Sequence, residues 1–373
     1  MSKLGLHFQT LPSWHSTHRV PWVKMIDPPS VNPWPWSHVL GRVWIGGDHV
    51  EQGMIWQGKA GARDYYRACL PAYERAPYVH AWEGPNEPHP LWDANFRRAL
   101  RVFTIEWTHL MHAAGRRVIV GCFSVGWPDV GHAPEFTDML AEADCLGLRE
   151  YGAPAMWDNE TWHCLRYRRT VAELQAAGAR IPPIVIGECG VDGGVLGTPT
   201  ARRGWRSYAT RGQYEQQLAW YDARLCEDDL VWCATPFVSG PGPDWLDFDV
   251  DEGLARWIAS WHTTLARPAP PAWTPGQTPP APSTPGDIDW TKVEAAIGQE
   301  AQKHIVPLSP GNAFEVAGAA MDLLPACDEF DLVVDGVTFR AQAYREAGQR
   351  QWQYIVTAVV GQWDKLHWWK RQN

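Results

Sequence analysis

Two glutamates in this chain stand where a side chain could do acid–base work. The first is Glu87, in the stretch Tyr78–Pro88, YVHAWEGPNEP. Its apolar start, Tyr78-Val79-His80-Ala81-Trp82, reads as a strand, and Gly84-Pro85 breaks it and delivers Asn86, Glu87 and Pro88 just past the strand end. The second is Glu188, in Ile184-Val185-Ile186-Gly187-Glu188-Cys189-Gly190. It too ends a β-branched run and has a glycine close on either side. Carboxylates on turns just past buried strands are where α/β barrels keep catalytic groups. A pair of them, one able to carry a proton and one kept ionised, is what glycosidic bond hydrolysis requires. A separation of ~5–5.5 Å serves a retaining reaction and ~6.5–9.5 Å an inverting one.

Two such carboxylates meet at one mouth only if many parallel strands surround them. Strand candidates recur at Leu4–Gln9, Trp22–Ile26, Val39–Ile45, Val79–Trp82, Val118–Phe123, Cys145–Arg149, Ile184–Glu188 and Leu230–Thr235. Most are continuous apolar runs, as strands covered on both faces should be. Helical spacing fills the gaps. Phe96, Leu100, Phe103, Trp107 and Leu110 form one stripe within Asp93–Ala114. Tyr66, Leu70 and Tyr73 form another, as do Tyr214, Leu218, Tyr221 and Leu225, and then Leu254, Trp257, Trp261 and Leu265. Strands alternating with helices in this way predict an α/β fold, a (β/α)8 TIM barrel over residues 1–266. Strands two and three are joined by the proline-rich PPSVNPWPWSH, which predicts an irregular turn in place of a helix. Glu87 then follows strand four and Glu188 closes strand seven, and the two face each other across the carboxyl-end mouth.

Trp82-Glu83-x-x-Asn86-Glu87-Pro88 resembles the strand-four signature of clan A glycoside hydrolases, and Gly187-Glu188-Cys189-Gly190 resembles their strand-seven nucleophile segment. The resemblance follows the strand order of the barrel and is sharp only at these two motifs. It implies a retaining glycoside hydrolase acting on β-linked poly- or oligosaccharide, with Glu87 as acid/base, Glu188 as nucleophile and Asn86 on the sugar 2-hydroxyl. It also implies that Tyr151 stands beside the nucleophile and that Trp232 or Phe237 provides the strand-eight sugar platform. Where some families carry an arginine near strand two, this chain has Lys24. The alternatives are a barrel that binds glycan without cleaving it, a phage-type cell-wall-associated protein, and an enolase-like barrel using carboxylates to hold a metal.

Other residues near strand ends are candidates for the cleft: His7, Asp27, Asp48, His49 and Trp127. Trp82, with Glu188, would supply the apolar and anionic setting that keeps Glu87 protonated near neutral pH. Glu83 and Glu150 read as supporting carboxylates, and His80 as a core histidine. Glu87 as a helix cap and Glu188 as an arginine partner is the bland alternative. The carboxylates form no metal-type cluster with histidine, so no cofactor or catalytic metal is expected.

The composition fits a globular protein: 373 residues, 45% apolar and 20% charged. A net charge of −9, with no basic run, argues against nucleic acid as a partner and leaves carbohydrate as the expected one. The eight cysteines, at 69, 122, 145, 164, 189, 226, 233 and 327, show no CxxC or zinc spacing and read as buried thiols. No apolar leader or membrane-length run is present, which points to a cytoplasmic, non-classically released or phage-associated protein. The 24 tryptophans offer flat faces suited to sugar rings as well as core filling.

From 267 to 286 the sequence becomes RPAPPAWTPGQTPPAPSTPG, a semi-rigid, polyproline-like linker spanning at most about 60 Å. Residues 287–373 then read as a small α+β domain. Helices are expected over 290–304 and 313–323, a hairpin over Phe330–Val334 and Val337–Tyr344 around Asp335-Gly336, and a third strand over Gln353–Val360. Trp363, Trp368 and Trp369 suggest docking on a glycan or a partner surface as its role.

Overall fold

The computed structural model describes residues 2–158, 160–197, 203–264, 330–334, 337–344, 353–359 and 368–370. The chain divides into two compact units, Met1–Pro279 and Pro280–Asn373.

The first unit is the expected barrel. Its strands are β1 (Leu6–Phe8), β2 (Trp22–Ile26), β3 (His38–Arg42), β4 (Ala81–Glu83), β5 (Val118–Phe123), β6 (Cys145–Gly152), β7 (Ile184–Val191) and β8 (Val231–Pro236). All eight pair in parallel and in chain order. β8 returns to β1: Gly5 N donates to Ala234 O at 2.8 Å, and Ser239 N to His7 O at 2.7 Å. The outer layer contains α1 (Asp48–Trp56), α2 (Lys59–Arg75), α3 (Ala94–Ala113), α4 (Thr137–Ala141), α5 (Tyr167–Ala176), α6 (Arg211–Leu225) and α7 (Glu252–Thr264). Caps set where two of them begin. Asp93 accepts from Asn95 N and Phe96 N at the start of α3, and Thr210 with Gln213 forms a capping box on α6.

The β2–β3 link has no helix, as its prolines dictate, and the β1–β2 link has none either. In their place Trp34 is buried against Phe8, ring centroids 5.1 Å apart, with its indole N–H on His15 O at 2.7 Å. On α2 the buried stripe is Tyr65, Cys69, Ala72 and Tyr73, about one position off the expected one.

Strand alternation sorts the lumen into two levels. At the amino end Trp22, Leu40, Ala81, Ile119, Cys145, Val185 and Cys233 form an apolar plug, with Trp232 packed on it. Two residues further along the same strands come Lys24, Arg42 and Glu83, and two further again on β6 comes Arg149. The polar level therefore lies directly beneath the mouth. No disulfide joins the described cysteines, which are buried except for the half-buried Cys226.

In the second unit four antiparallel strands are described: β9 (Phe330–Val334), β10 (Val337–Tyr344), β11 (Gln353–Val359) and β12 (Trp368–Lys370), in the order β12-β11-β10-β9. Val337 pairs with Val334, the register expected of a two-residue hairpin. β12, a strand beyond the three expected, contains Trp368 and Trp369. The linker 267–286, the helices expected over 290–304 and 313–323, Asp335-Gly336 and Trp363 lie outside the described residues.

Candidate active site

β7 shows how the chain places Glu188. Val185 faces the lumen, and regular alternation would turn a residue three positions on toward the outer layer. The β6–β7 register slips between Leu148/Ile186 and Arg149/Glu188, and this irregularity at Gly187 brings Glu188 back inside. Only glycine fits there: a Cβ on Gly187 would lie 2.1 Å from Glu83 Oε1 and 2.4 Å from an Arg149 guanidinium nitrogen.

Glu188 is only 6% exposed, yet it is held ionised. Lys24 Nζ donates to its Oε1 at 3.0 Å, Arg149 Nε lies 3.4 Å from the same oxygen, and the Tyr151 hydroxyl donates to Oε2 at 3.0 Å. Burial alone would raise this carboxyl. Lys24, Arg149 and Arg42 outweigh burial and bring it down to about 2. Tyr151 moves the other way: burial first, then the charges of Glu188 and Glu87, push its phenol well up, so it remains a donor.

The cations are themselves balanced by Glu83. Arg149 grips it with two nitrogens, at 2.7 and 3.1 Å, and Lys24 Nζ lies 2.9 Å from its Oε2. Burial would raise Glu83 as well, but Arg149 and Lys24 hold it at about 2. Arg149 also donates to Asn86 Oδ1 at 3.0 Å, which fixes the side-chain amide with its NH2 edge turned away from the arginine. The Asn86 backbone N–H donates to Glu51 Oε2 at 2.6 Å, and the Glu87 N–H to Cys122 O at 3.1 Å. These bonds hold Glu87 at φ 41°, a left-handed conformation that costs a non-glycine residue about 1–2 kcal/mol.

The other expected site residues divide. Phe237, half-buried, tops β8 with its ring against His7 at 5.3 Å, Trp245 at 5.4 Å and Phe248 at 5.4 Å. His7 is not an open cleft residue. It is fully buried beside the charged level, and neither ring nitrogen has a hydrogen-bond partner among the described residues. Burial first, then Lys24, holds its pKa well below the usual histidine value, so it is neutral. Trp127 lies on the loop side past β5, half-buried and tilted against His132 at 5.7 Å. Asp48 is the first residue of α1, past the carboxyl end of β3.

Two more expectations are corrected. Trp82 does not line the cleft: Glu83 takes the inward place on β4, so its neighbour faces the outer layer and packs on Tyr73, centroids 4.7 Å apart. Trp232 stacks on Trp22 at 6.2 Å, at the amino-end plug, the opposite end of the barrel from Glu188. Expectation also passed over Arg42, Arg149 and Glu51 in the polar level, and Trp245 and Arg203 at the rim. Arg203 pairs with Asp192, and its guanidinium carbon lies 5.8 Å from the Trp245 ring. Position-by-position alternation could have found the inward-facing Arg42 and Arg149, because both share a face with residues already placed in the lumen.

Fold and site together define a (β/α)8 barrel with a buried, charge-balanced polar level and a carboxylate held ionised beneath its carboxyl-end mouth. No family model and no curated protein sequence matches the chain. Among solved structures it is similar to an endo-β-1,3-glucanase from Pseudomonas viridiflava (13% identity, 69% of this chain and 97% of that one, TM-score 0.38). It is also similar to a Bifidobacterium dentium β-glucuronidase (11%, 70% and 46%, TM-score 0.47) and an endo-1,4-β-mannanase from Rhizomucor miehei (14%, 66% and 86%, TM-score 0.39). At these identities and scores the likenesses decide nothing about substrate or residue roles.

Proposed function

We propose that the protein is a retaining glycoside hydrolase of the clan A type, cleaving β-linked glycans by double displacement with Glu188 as nucleophile and Glu87 as acid/base. The observation that carries this is the Tyr151 hydroxyl. It donates to Glu188, a carboxylate at the carboxyl end of β7 that Lys24 and Arg149 hold ionised, and the segment leaving β4 with Asn86 and Glu87 is tied to the same charged level through the Arg149–Asn86 bond, which supports the reading of the pair. A carboxyl at about 2 is ionised throughout the working pH range, as a nucleophile must be.

In the first step a Glu188 oxygen attacks the anomeric carbon. Glu87 gives its proton to the departing glycosidic oxygen, and an ester to Glu188 forms. In the second, Glu87 takes a proton from water, the water oxygen bonds to the anomeric carbon, and Glu188 leaves as carboxylate. Lys24 and Arg149 stabilise that departing charge. The proposal requires carboxyl groups ~5–5.5 Å apart. Asn86 donates its NH2 to the sugar 2-hydroxyl, and Phe237, with Trp245 beside it, supplies the platform on the β8 side.

Residues 287–373 enter the proposal as a non-catalytic module tethered by 267–286. The division of the chain at Pro279/Pro280 supports that placement. Limited proteolysis of the full chain should cut within 267–286 first and leave glycosidase activity in the larger fragment.

The deciding experiment is mass spectrometry after treatment with activated 2-fluoro β-glycosides of several sugars. A covalent label on Glu188 is expected. A label on another residue, in a protein active on the parent sugar, overturns the assignment.

A further inference from the structure

A catalytic pair determines where a glycosidic bond is cut, not how much glycan is held around it. Exposed tryptophans bear on that second question. Among the described residues Trp36, Trp44, Trp56, Trp92, Trp157 and Trp162 are the exposed ones. Trp36 directly precedes β3, on the amino-end side. The other five all lie on segments that leave the carboxyl ends of strands, where Glu87 and Glu188 also are.

Three of those five rings already have partners. Trp56 meets Phe96 edge-on at 5.1 Å, Trp157 meets Trp220 of α6 at 6.0 Å, and Trp162 lies under the guanidinium groups of Arg169 and Arg166 at 4.6 and 5.2 Å. Trp44 and Trp92 do not. They are 57% and 76% exposed, and neither ring makes an aromatic or cation contact among the described residues. An indole left in water forgoes the burial free energy that the core tryptophans gain. Two bare indoles stand on the segments that leave the neighbouring strands β3 and β4.

Their places are specific. Trp92 lies on the same segment as Asn86 and Glu87, between β4 and α3, and Trp44 lies just past the end of β3. β3 and β4 are hydrogen-bonded neighbours. A saccharide crossing the mouth beside Glu87 therefore passes over this side of the rim. Each sugar ring presents a flat C–H face that an indole can stack.

We propose that Trp44 and Trp92 hold successive sugar units of a long β-linked chain on the β3–β4 side of the mouth, and that the enzyme accordingly cuts within polysaccharides. This deepens the glycosidase proposal and rests on it.

The test uses the full chain with Trp44→Ala and Trp92→Ala, both surface substitutions. Hydrolysis of aryl monoglycosides and of β-1,3- and β-1,4-linked gluco- and manno-oligosaccharides of increasing length is measured. Binding of the same oligosaccharides is measured in the Glu188→Gln background. In the unsubstituted enzyme kcat/KM should rise with chain length, and internal cleavage should give products of mixed length. Each tryptophan substitution should cost roughly three- to tenfold in kcat/KM and in affinity for long chains while leaving aryl monoglycosides unchanged. Release of single terminal units only, or long-chain kinetics and binding untouched by both substitutions, overturns the proposal. If aryl glycosides are still cleaved in that case, the glycosidase assignment stands without it. If nothing is hydrolysed but the tryptophan substitutions still weaken binding, the binding row stands and the catalytic assignment and internal cleavage fall.

Discussion

Two buried glutamates lie on paired strands, and the protein treats them in opposite ways. Arg149 pairs with Glu188 across the β6–β7 ladder, and Glu150 pairs with the next residue, Cys189. Glu188 faces the lumen, where Lys24, Arg149 and Arg42 hold its carboxyl at about 2. Glu150 faces outward, under α5 and α6. There it accepts from the Tyr221 hydroxyl at 2.5 Å, Leu165 N at 2.6 Å and Tyr167 N at 2.9 Å, and burial pushes it up to about 7. Neutral donors are enough to hold a buried carboxyl in place but not to keep it charged. Full positive charges do both. One glutamate is thereby fit for chemistry, and the other serves as a bracket for the start of α5.

The largest expected difference between the two is in turnover. Glu188→Gln should lose ~10⁴-fold or more in kcat, whereas Glu150→Gln should stay within about an order of magnitude. Comparable losses for both, on well-folded protein, would erase the distinction. Next comes the source of the low carboxyl pKa. Arg149→Met leaves Glu83 without its two-pronged partner and should cost about 3–5 kcal/mol in urea unfolding. It should also raise the Glu188 carboxyl, so the acid limb of kcat/KM moves up from near pH 2 toward the ordinary carboxylate range. Arg149→Lys should recover part of both. An acid limb that does not move would place the charge control elsewhere.

Gly187→Ala probes the close packing of the lumen. Its methyl group has no room between Glu83 and Arg149, so about 1–3 kcal/mol of stability should be lost by thermal or urea unfolding. The smallest effect is the pH dependence of stability. Glu150 is raised in the folded state, so its contribution is complete below about 4.5 and is lost as pH rises through about 7. Glu188 and Glu83 are depressed, so theirs is present above about 4.5 and lost as pH falls through about 2. Between pH 6 and 8 Glu150→Gln should flatten the decline in stability by about 1 kcal/mol, read from unfolding curves at each pH.

Most of the barrel was legible because its strands are covered on both faces and so appear as unbroken apolar runs. The two strand-end motifs were legible because glycine and proline mark where the runs stop. What escaped was facing. Trp82 and Glu83 are neighbours on one strand, and only their facing separates an outer-layer ring from a lumen carboxylate. Trp232 belongs to the correct strand but to the wrong end of it. The cations Lys24, Arg42 and Arg149 sit in sequence among apolar residues, and Lys24 and Arg149 take their partners from strands far away in the chain. No local pattern links Arg149 to Glu83. The link follows from closing the barrel, which brings the inward faces of β4 and β6 within reach of each other.

That link across the lumen matters for how the barrel could be divided. Lys24 and Glu83 belong to the first four strands, Arg149 and Glu188 to the last four, yet the forked contact joins Arg149 to Glu83 and the Lys24 ammonium reaches Glu188. A chain cut at the Gly115 turn would give two half barrels, each with a cation and a carboxylate that meet each other and also reach partners in the other piece. The two pieces would recognise each other by matched charge as well as by strand edges. A half carrying Arg149→Met would then reassemble poorly with an unaltered partner, and the lumen charges would act as the address by which one half barrel finds the other.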